Sequence, residues 1–221
     1  MAEKIKIILA SASPRRHELL SCAGIPHEII ITDADETPRG TCHDCENYAE
    51  WFARSVSLLK ADAASSEVKP EHGVRTLIVC ADTVVSPDFP PNTPRIFGKP
   101  KDEDDARRML KTLSGSEHSV VGGITVSEVF EDAPPHTVSR SYVTRVSMKS
   151  LSDSVIDSYI ETGEPFGKAG AYAIQGKASM FVCGITGDYA NVVGISVSGL
   201  CDIFKEEFSL PAESILKLNA D

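Results

Sequence analysis

"KIKIILASASPRRHELLSCAG", residues 4–24, is the stretch on which the fold turns. "KIKIILA" has the apolar character and length of a strand. Residues 13–23 have the length of a helix, and Gly24 closes it from the position where a left-handed residue is wanted. Pro14 falls at the first helical position, where its missing N–H costs nothing. A strand that runs directly into a helix is one step of an α/β fold. The link between them, Ser11-Ala12-Ser13, is small enough to let an anion reach the free N–H groups of the helix start. Arg15 and Arg16 add forked donors at the same place. No GxxxxGK[ST] phosphate loop is present. Taken alone, the stretch is equally an anion site or an N-capped helix with two solvated arginines.

Outward from that step the alternation continues. "HEIIIT" (27–32) reads as a second strand, residues 45–66 as a long helix, and "TLIVCADTVV" (76–85) as a strand too apolar for an exposed edge. "SPDFPPNTPRIFGKP" carries five prolines and is a loop or loose hairpin. "DEDDARRMLKTLSG" has acids in its first turn, with basic residues and Gly115 towards its end, as a helix should. Two strands follow, 118–130 and 138–149, joined by "EDAPPH". Ser152 caps a helix that Gly163 closes. A Gly/Ala-rich segment then leads through "YAIQGKASMFVCGITG" to a final helix at about 194–209. Hairpin-like and crossover connections both occur, so the expected class is α/β, with a mixed central β-sheet flanked by helices. A single domain over 1–221 is expected.

The 221 residues are 42% hydrophobic and 24% charged. A chain of this length buries roughly 70% of its unfolded surface and supports its own core. No apolar stretch approaches the roughly 20 residues of a membrane span, and the first residues lack the pattern of a signal peptide. A cytoplasmic protein with no membrane partner is expected. Cys22, Cys80, Cys183 and Cys201 read as small core residues. Cys42 and Cys45, in "CHDC", read as surface-loop thiols, because a structural zinc site would need a second such pair. The net charge of −10 argues against a nucleic-acid polymer as partner. A local cluster of cations could still receive a small anion.

Asp82 ends an apolar strand, where α/β folds place their ligand chemistry. It could be a metal ligand, a general base or a cap for the next turn. Glu36 in "DADET" follows another strand. Lys99 in "FGKP" precedes a helix, and Lys60 in "LLKADA" is either a phosphate contact or a solvated charge. Together with Ser11, Arg15 and Arg16, these residues combine cations for phosphates with carboxylates for a divalent metal. Tyr172, Phe181 and Tyr189 could stack on a base or belong to the core.

"LASASPRRHELL", "DADET", "KA" at 60–61, "ADTVV", "GKP" and "GAYAIQGKASMFVCGITGDYANVVGI" occur in the order and spacing of the Maf family, from about residue 5 to 209. The chain resembles that family. The family's usual "GLP" reads Gly194-Ile195-Ser196 here, its "REKA" reads "ARSVSLLKA", and the 86–96 loop is longer and richer in proline. The resemblance implies a fold like that of the inosine triphosphate pyrophosphatases, with an active-site cleft between two lobes. It also implies hydrolysis of a nucleoside triphosphate to the monophosphate and pyrophosphate, with a divalent cation (Mg, Mn or Co).

Carried over by position, Asp82 matches the general base and, with Glu36, the metal-holding acids. Ser11, Arg15, Arg16, Lys60 and Lys99 match the phosphate-contacting set. Arg15, Thr83 and Gln175 match the branch acting on dTTP and UTP, where the branch acting on 7-methyl-GTP carries Trp, Gln and Glu. The amide of Gln175 both donates and accepts, as a uracil or thymine edge requires. Homodimers are common in the family, which leaves that state open. Two alternatives remain: the same reaction on 7-methyl-GTP or another purine triphosphate, and a non-catalytic nucleotide-binding regulator of cell division. Retention of both Asp82 and Glu36 favours turnover.

Overall fold

The computed structural model describes residues 4–38, 42, 48–87 and 96–218. In chain order the elements are β1 (Lys4–Ala10), α1 (Pro14–Cys22), β2 (Glu28–Ile30), α2 (Tyr48–Glu67), β3 (Val74–Pro87), α3 (Glu103–Leu113), β4 (Glu117–Val129), β5 (His136–Met148), α4 (Asp153–Glu161), β6 (Val182–Thr186), α5 (Tyr189–Val193), α6 (Val197–Phe208) and α7 (Ala212–Lys217). The six strands form one sheet in the order β2-β1-β3-β4-β5-β6. β1 pairs in parallel with β2 and β3, and every pair from β3 to β6 is antiparallel. The sheet is mixed because helical crossovers build its parallel half, whereas in the antiparallel half β4 and β5 form a hairpin and the connections on either side of it carry α3 and α4.

β3 is apolar along most of its length because helices cover both its faces. Ile78, Cys80 and Val84 face α2, while Leu77, Val79 and Ala81 face α6. α2 turns a stripe of small buried residues to the sheet: Ala49, Ala53, Ser57, Ala61 and Ala64. The sheet answers with Gly123, where a Cβ would lie 2.2 Å from the Ala53 carbonyl oxygen. Ser57 and Thr125 share a buried hydroxyl–hydroxyl bond of 2.8 Å across this contact.

The opposite face carries two apolar clusters. One joins α1, α6 and α7 to β1 and the first half of β3 through Leu9, Leu77, Phe204 and Phe208. The other seats α3 and α4 on the far halves of β3, β4 and β5 through Val85, Leu110, Val120, Val146 and Ile156. A cleft lies between them. β1 stops at Ala10, its register with β3 ending at Leu9–Val79, while β3 runs on to Pro87. The free edge of β3 is covered again at Val85, whose N–H and C=O bond Phe97 at 3.0 and 2.7 Å. Asp82 and Thr83 sit in the gap. Successive strand residues point to opposite faces, so an open edge is what lets both line one cleft.

Some expectations need correction. The second strand is only three residues long. The expected helix at about 194–209 is α6, which Ser196 caps by accepting from Gly199 N at 3.0 Å; α5, separated from it by Gly194 at φ +159°, was not expected. β6 and α7 fell outside the sequence reading. Of the four expected core cysteines, Cys80 alone is buried; its thiol is pushed by burial up to about 12. Cys22 and Cys183 are exposed and Cys201 half-buried. Cys42 is disulfide-bonded rather than a free thiol, and residues 43–45 lie outside the described residues, as do 88–95 of the proline-rich loop. Among the described residues, no helix is long and apolar enough to cross a membrane.

Candidate active site

The cleft has a volume of about 290 Å³. All nine residues singled out in the sequence line it: Ser11, Arg15, Arg16, Glu36, Lys60, Asp82, Thr83, Lys99 and Gln175. They come from the β1–α1 link, the first turn of α1, the segment after β2, α2, the gap in β3, and two loops of the α3–α4 side.

At one end, Lys60 reaches from α2 beside its small-residue stripe. Its Nζ donates to Asp82 Oδ1 at 2.7 Å and lies 3.1 Å from Glu36 Oε1. Two carboxylates therefore converge on one point, which a cation occupies. Hard oxygen donors in that number suit Mg²⁺ or Mn²⁺, which commonly take one or two protein carboxylates and complete their shell with substrate phosphates and water. No group of three or more His, Cys, Asp or Glu gathers among the described residues. The donor set thus fits an ion shared with a substrate better than one caged by protein alone.

At the other end, Arg16 is half-buried. Its Nε donates to Gly194 O at 2.9 Å, Nη1 to Ser11 Oγ at 3.1 Å and Nη2 to Thr83 Oγ1 at 3.4 Å. Thr83 in turn donates to Gly194 O at 3.3 Å. Arg15 Nε donates to Val193 O at 3.2 Å. Burial lowers the pKa of both guanidinium groups; Asp82 and Glu36 pull that of Arg16 back up, and Arg15 pushes it down. Both remain charged, as arginine does in proteins.

Lys168 also lines the cleft and was missed. The one available sign was a lysine in the glycine-rich "GKAGAY", which has no periodicity to place it. The chain around it is held in left-handed backbone at Gly167, Gly170 and Ala171. A Cβ on Gly170 would come within 2.8 Å of Val85, and Gly170 N donates to Gly98 O at 3.1 Å, tying this loop to that of Lys99. Burial, then Arg15, lowers the Lys168 pKa. Lys99 and Gln175 stand exposed at the rim. Of the three aromatics, Tyr172 borders the cleft but is buried, its hydroxyl 2.8 Å from His118 Nε2. Phe181 is core, packed edge-on against Tyr159, and Tyr189 is exposed away from the cleft lining.

Five cations and two carboxylates line this cleft in a chain of net charge −10. Such a concentration at an open sheet edge defines, as a class, an α/β receptor for a small polyanion. Comparison with known proteins narrows the class: residues 6–207 match the family described as Maf-like protein, and the chain belongs to that family. It is 43% identical over 205 residues to a dTTP/UTP pyrophosphatase of Acetivibrio thermocellus, covering 91% of this chain and 95% of that one. Proteins of the same name from Alkaliphilus metalliredigens and Bacillus cereus are 38% and 39% identical, over 93% and 91% of this chain and 97% and 95% of theirs. Among solved structures, the Staphylococcus aureus Ham1 protein matches at 13% identity and TM-score 0.36, over 64% of this chain and 72% of its own.

Proposed function

We propose that the protein is a nucleoside triphosphate pyrophosphatase that hydrolyses dTTP and UTP to their monophosphates and pyrophosphate. It would act as one domain on the free nucleotide pool of the cytoplasm. The observation that carries this reading is the division of charge in the cleft. Asp82 and Glu36 converge on Lys60, and every other charged side chain lining the cleft is a cation. The relatives named as dTTP/UTP pyrophosphatases support the same substrates.

Asp82 is the proposed general base. Its carboxylate takes a proton from water as the water oxygen bonds the α-phosphorus, and the bond to the bridging oxygen breaks. Lys60 fixes the carboxylate in place. Arg15, Arg16, Lys99 and Lys168 offset the charge that gathers on departing pyrophosphate, in a site already preorganised by the bonds to Ser11, Thr83 and Gly194. Asp82 and Glu36 would hold a divalent ion, which when bound supplies further charge stabilisation. Gln175, exposed at the rim, would pair with the donor and acceptor edge of a pyrimidine.

The test is pyrophosphate release with Mg²⁺ or Mn²⁺ across dTTP, UTP, CTP, GTP and 7-methyl-GTP, with products identified. Turnover of dTTP and UTP to monophosphates, lost on chelation and restored by the ion, is the expected result. Turnover confined to purines would discard the roles of Arg15, Thr83 and Gln175. Tight binding without turnover would replace the enzyme with a nucleotide-sensing regulator.

A further inference from the structure

α5 has five residues, too few to hold a helical shape unaided. Yet the carbonyl oxygens at its end, on Val193 and Gly194, receive Arg15 Nε and Arg16 Nε. Whatever fixes α5 therefore fixes the two guanidinium forks. Asn191 does so from the middle of the helix. It is wholly buried, and its Nδ2 lies 3.2 Å from Val120 O, 3.1 Å from Tyr142 O and 3.1 Å from Thr144 Oγ1. One amide group thus spans β4 and β5. Thr144 secures the start of the same helix, donating to Asp188 O at 3.1 Å and accepting from Asp188 N at 3.2 Å.

The sheet makes room for this contact at Gly122, where a Cβ would lie 2.1 Å from Asn191 Oδ1. That oxygen is buried without a hydrogen-bond partner. Leaving a buried acceptor unpaired costs stability, which sets this contact apart from ordinary core packing. We propose that Asn191 is a positioning residue: it pins α5 to β4 and β5 so that the Val193 and Gly194 carbonyls aim Arg15 and Arg16 into the cleft. The kinetic part of this inference rests on the proposed pyrophosphatase reading; the orientation of the arginines does not.

The experiment compares wild type, Asn191→Ala and Gly122→Ala. The second variant keeps every donor but displaces the amide, and it serves if the first fails to fold. In proteins with unchanged circular dichroism, the Arg15 and Arg16 Nε–H signals in ¹⁵N–¹H spectra should lose their protection from solvent exchange. Affinity for inorganic pyrophosphate by calorimetry should fall at least tenfold. KM for dTTP should rise at least tenfold while kcat changes less than threefold. Protected Nε–H signals and unchanged pyrophosphate affinity, with only a lower melting temperature, would overturn the proposal. A wild type without dTTP turnover, whose variants still lose the protected signals, would sink the pyrophosphatase reading and leave the positioning role standing.

Discussion

Asp82 and Thr83 are sequence neighbours that point to opposite faces of β3 and still serve one cleft, each with a different partner. Asp82 faces Lys60; Thr83 faces Arg16 and Gly194. Replacing Asp82 with Asn keeps the shape and removes the base. Pyrophosphate release should drop about 10²–10⁴-fold, with the circular dichroism spectrum unchanged; an active Asp82→Asn enzyme would dismiss Asp82 as the base. Arg15→Ala removes a fork that stands beside Lys168. It should raise KM about tenfold, the effect of roughly 1.4 kcal/mol, and narrow the margin of dTTP and UTP over GTP, as initial rates on the three substrates would reveal. Glu36, Lys60 and Asp82 were legible in the sequence because each sits in a short motif in or beside a predicted element and the family resemblance joined those motifs. Lys168 was not, since only folded backbone, left-handed at Gly167 and Gly170, brings it to Arg15.

Among the elements, α4 and the turn at 177–180 are joined by one carboxylate. Glu164 accepts from Tyr159 Oη at 2.9 Å, Lys177 N at 3.1 Å and Ala178 N at 3.2 Å. Burial raises its pKa, but these hydrogen bonds outweigh burial and leave it below the ordinary 4.5. A carboxylate lowered on folding adds stability above its unfolded value and loses it as pH falls through its folded one. Wild type should therefore lose more melting temperature than Glu164→Gln between about pH 5 and pH 3, measured by thermal melts in matched buffers. Parallel curves would show that the contact is not pH-linked. Strong elements such as β3 and α3 were readable from continuous apolar runs and charged ends. β6 and α5 were not: five mostly exposed or half-buried strand residues and a five-residue helix hold too little periodicity, and tertiary contacts such as Asn191 form them instead.

Taken whole, the molecule is one sheet with α2 packed on one face and two apolar clusters on the other, one of them anchored by α6. Phe204 is fully buried against the β1 and β3 side. Phe204→Ala should cost about 3–5 kcal/mol, read as a lower urea midpoint with an unchanged slope; a loss under 1 kcal/mol would mean that the cluster closes over the gap. The mixed sheet was legible because hairpins and crossovers leave different connection lengths. The cleft between the clusters was legible only through the family resemblance, since periodicity does not say where β1 ends relative to β3.

The bonds from Arg15 and Arg16 to Val193 and Gly194 span 178 residues of chain. During translation the two arginines emerge long before their acceptors. A nascent chain can pair β4 with β5 early, because the contacts of that hairpin are local. It cannot hold the arginine forks until residue 194 has emerged. The arginine end of the cleft is therefore completed only after β3, β4 and β5 have been made, and a chain cut short of residue 193 cannot assemble it, however much of the sheet it has folded.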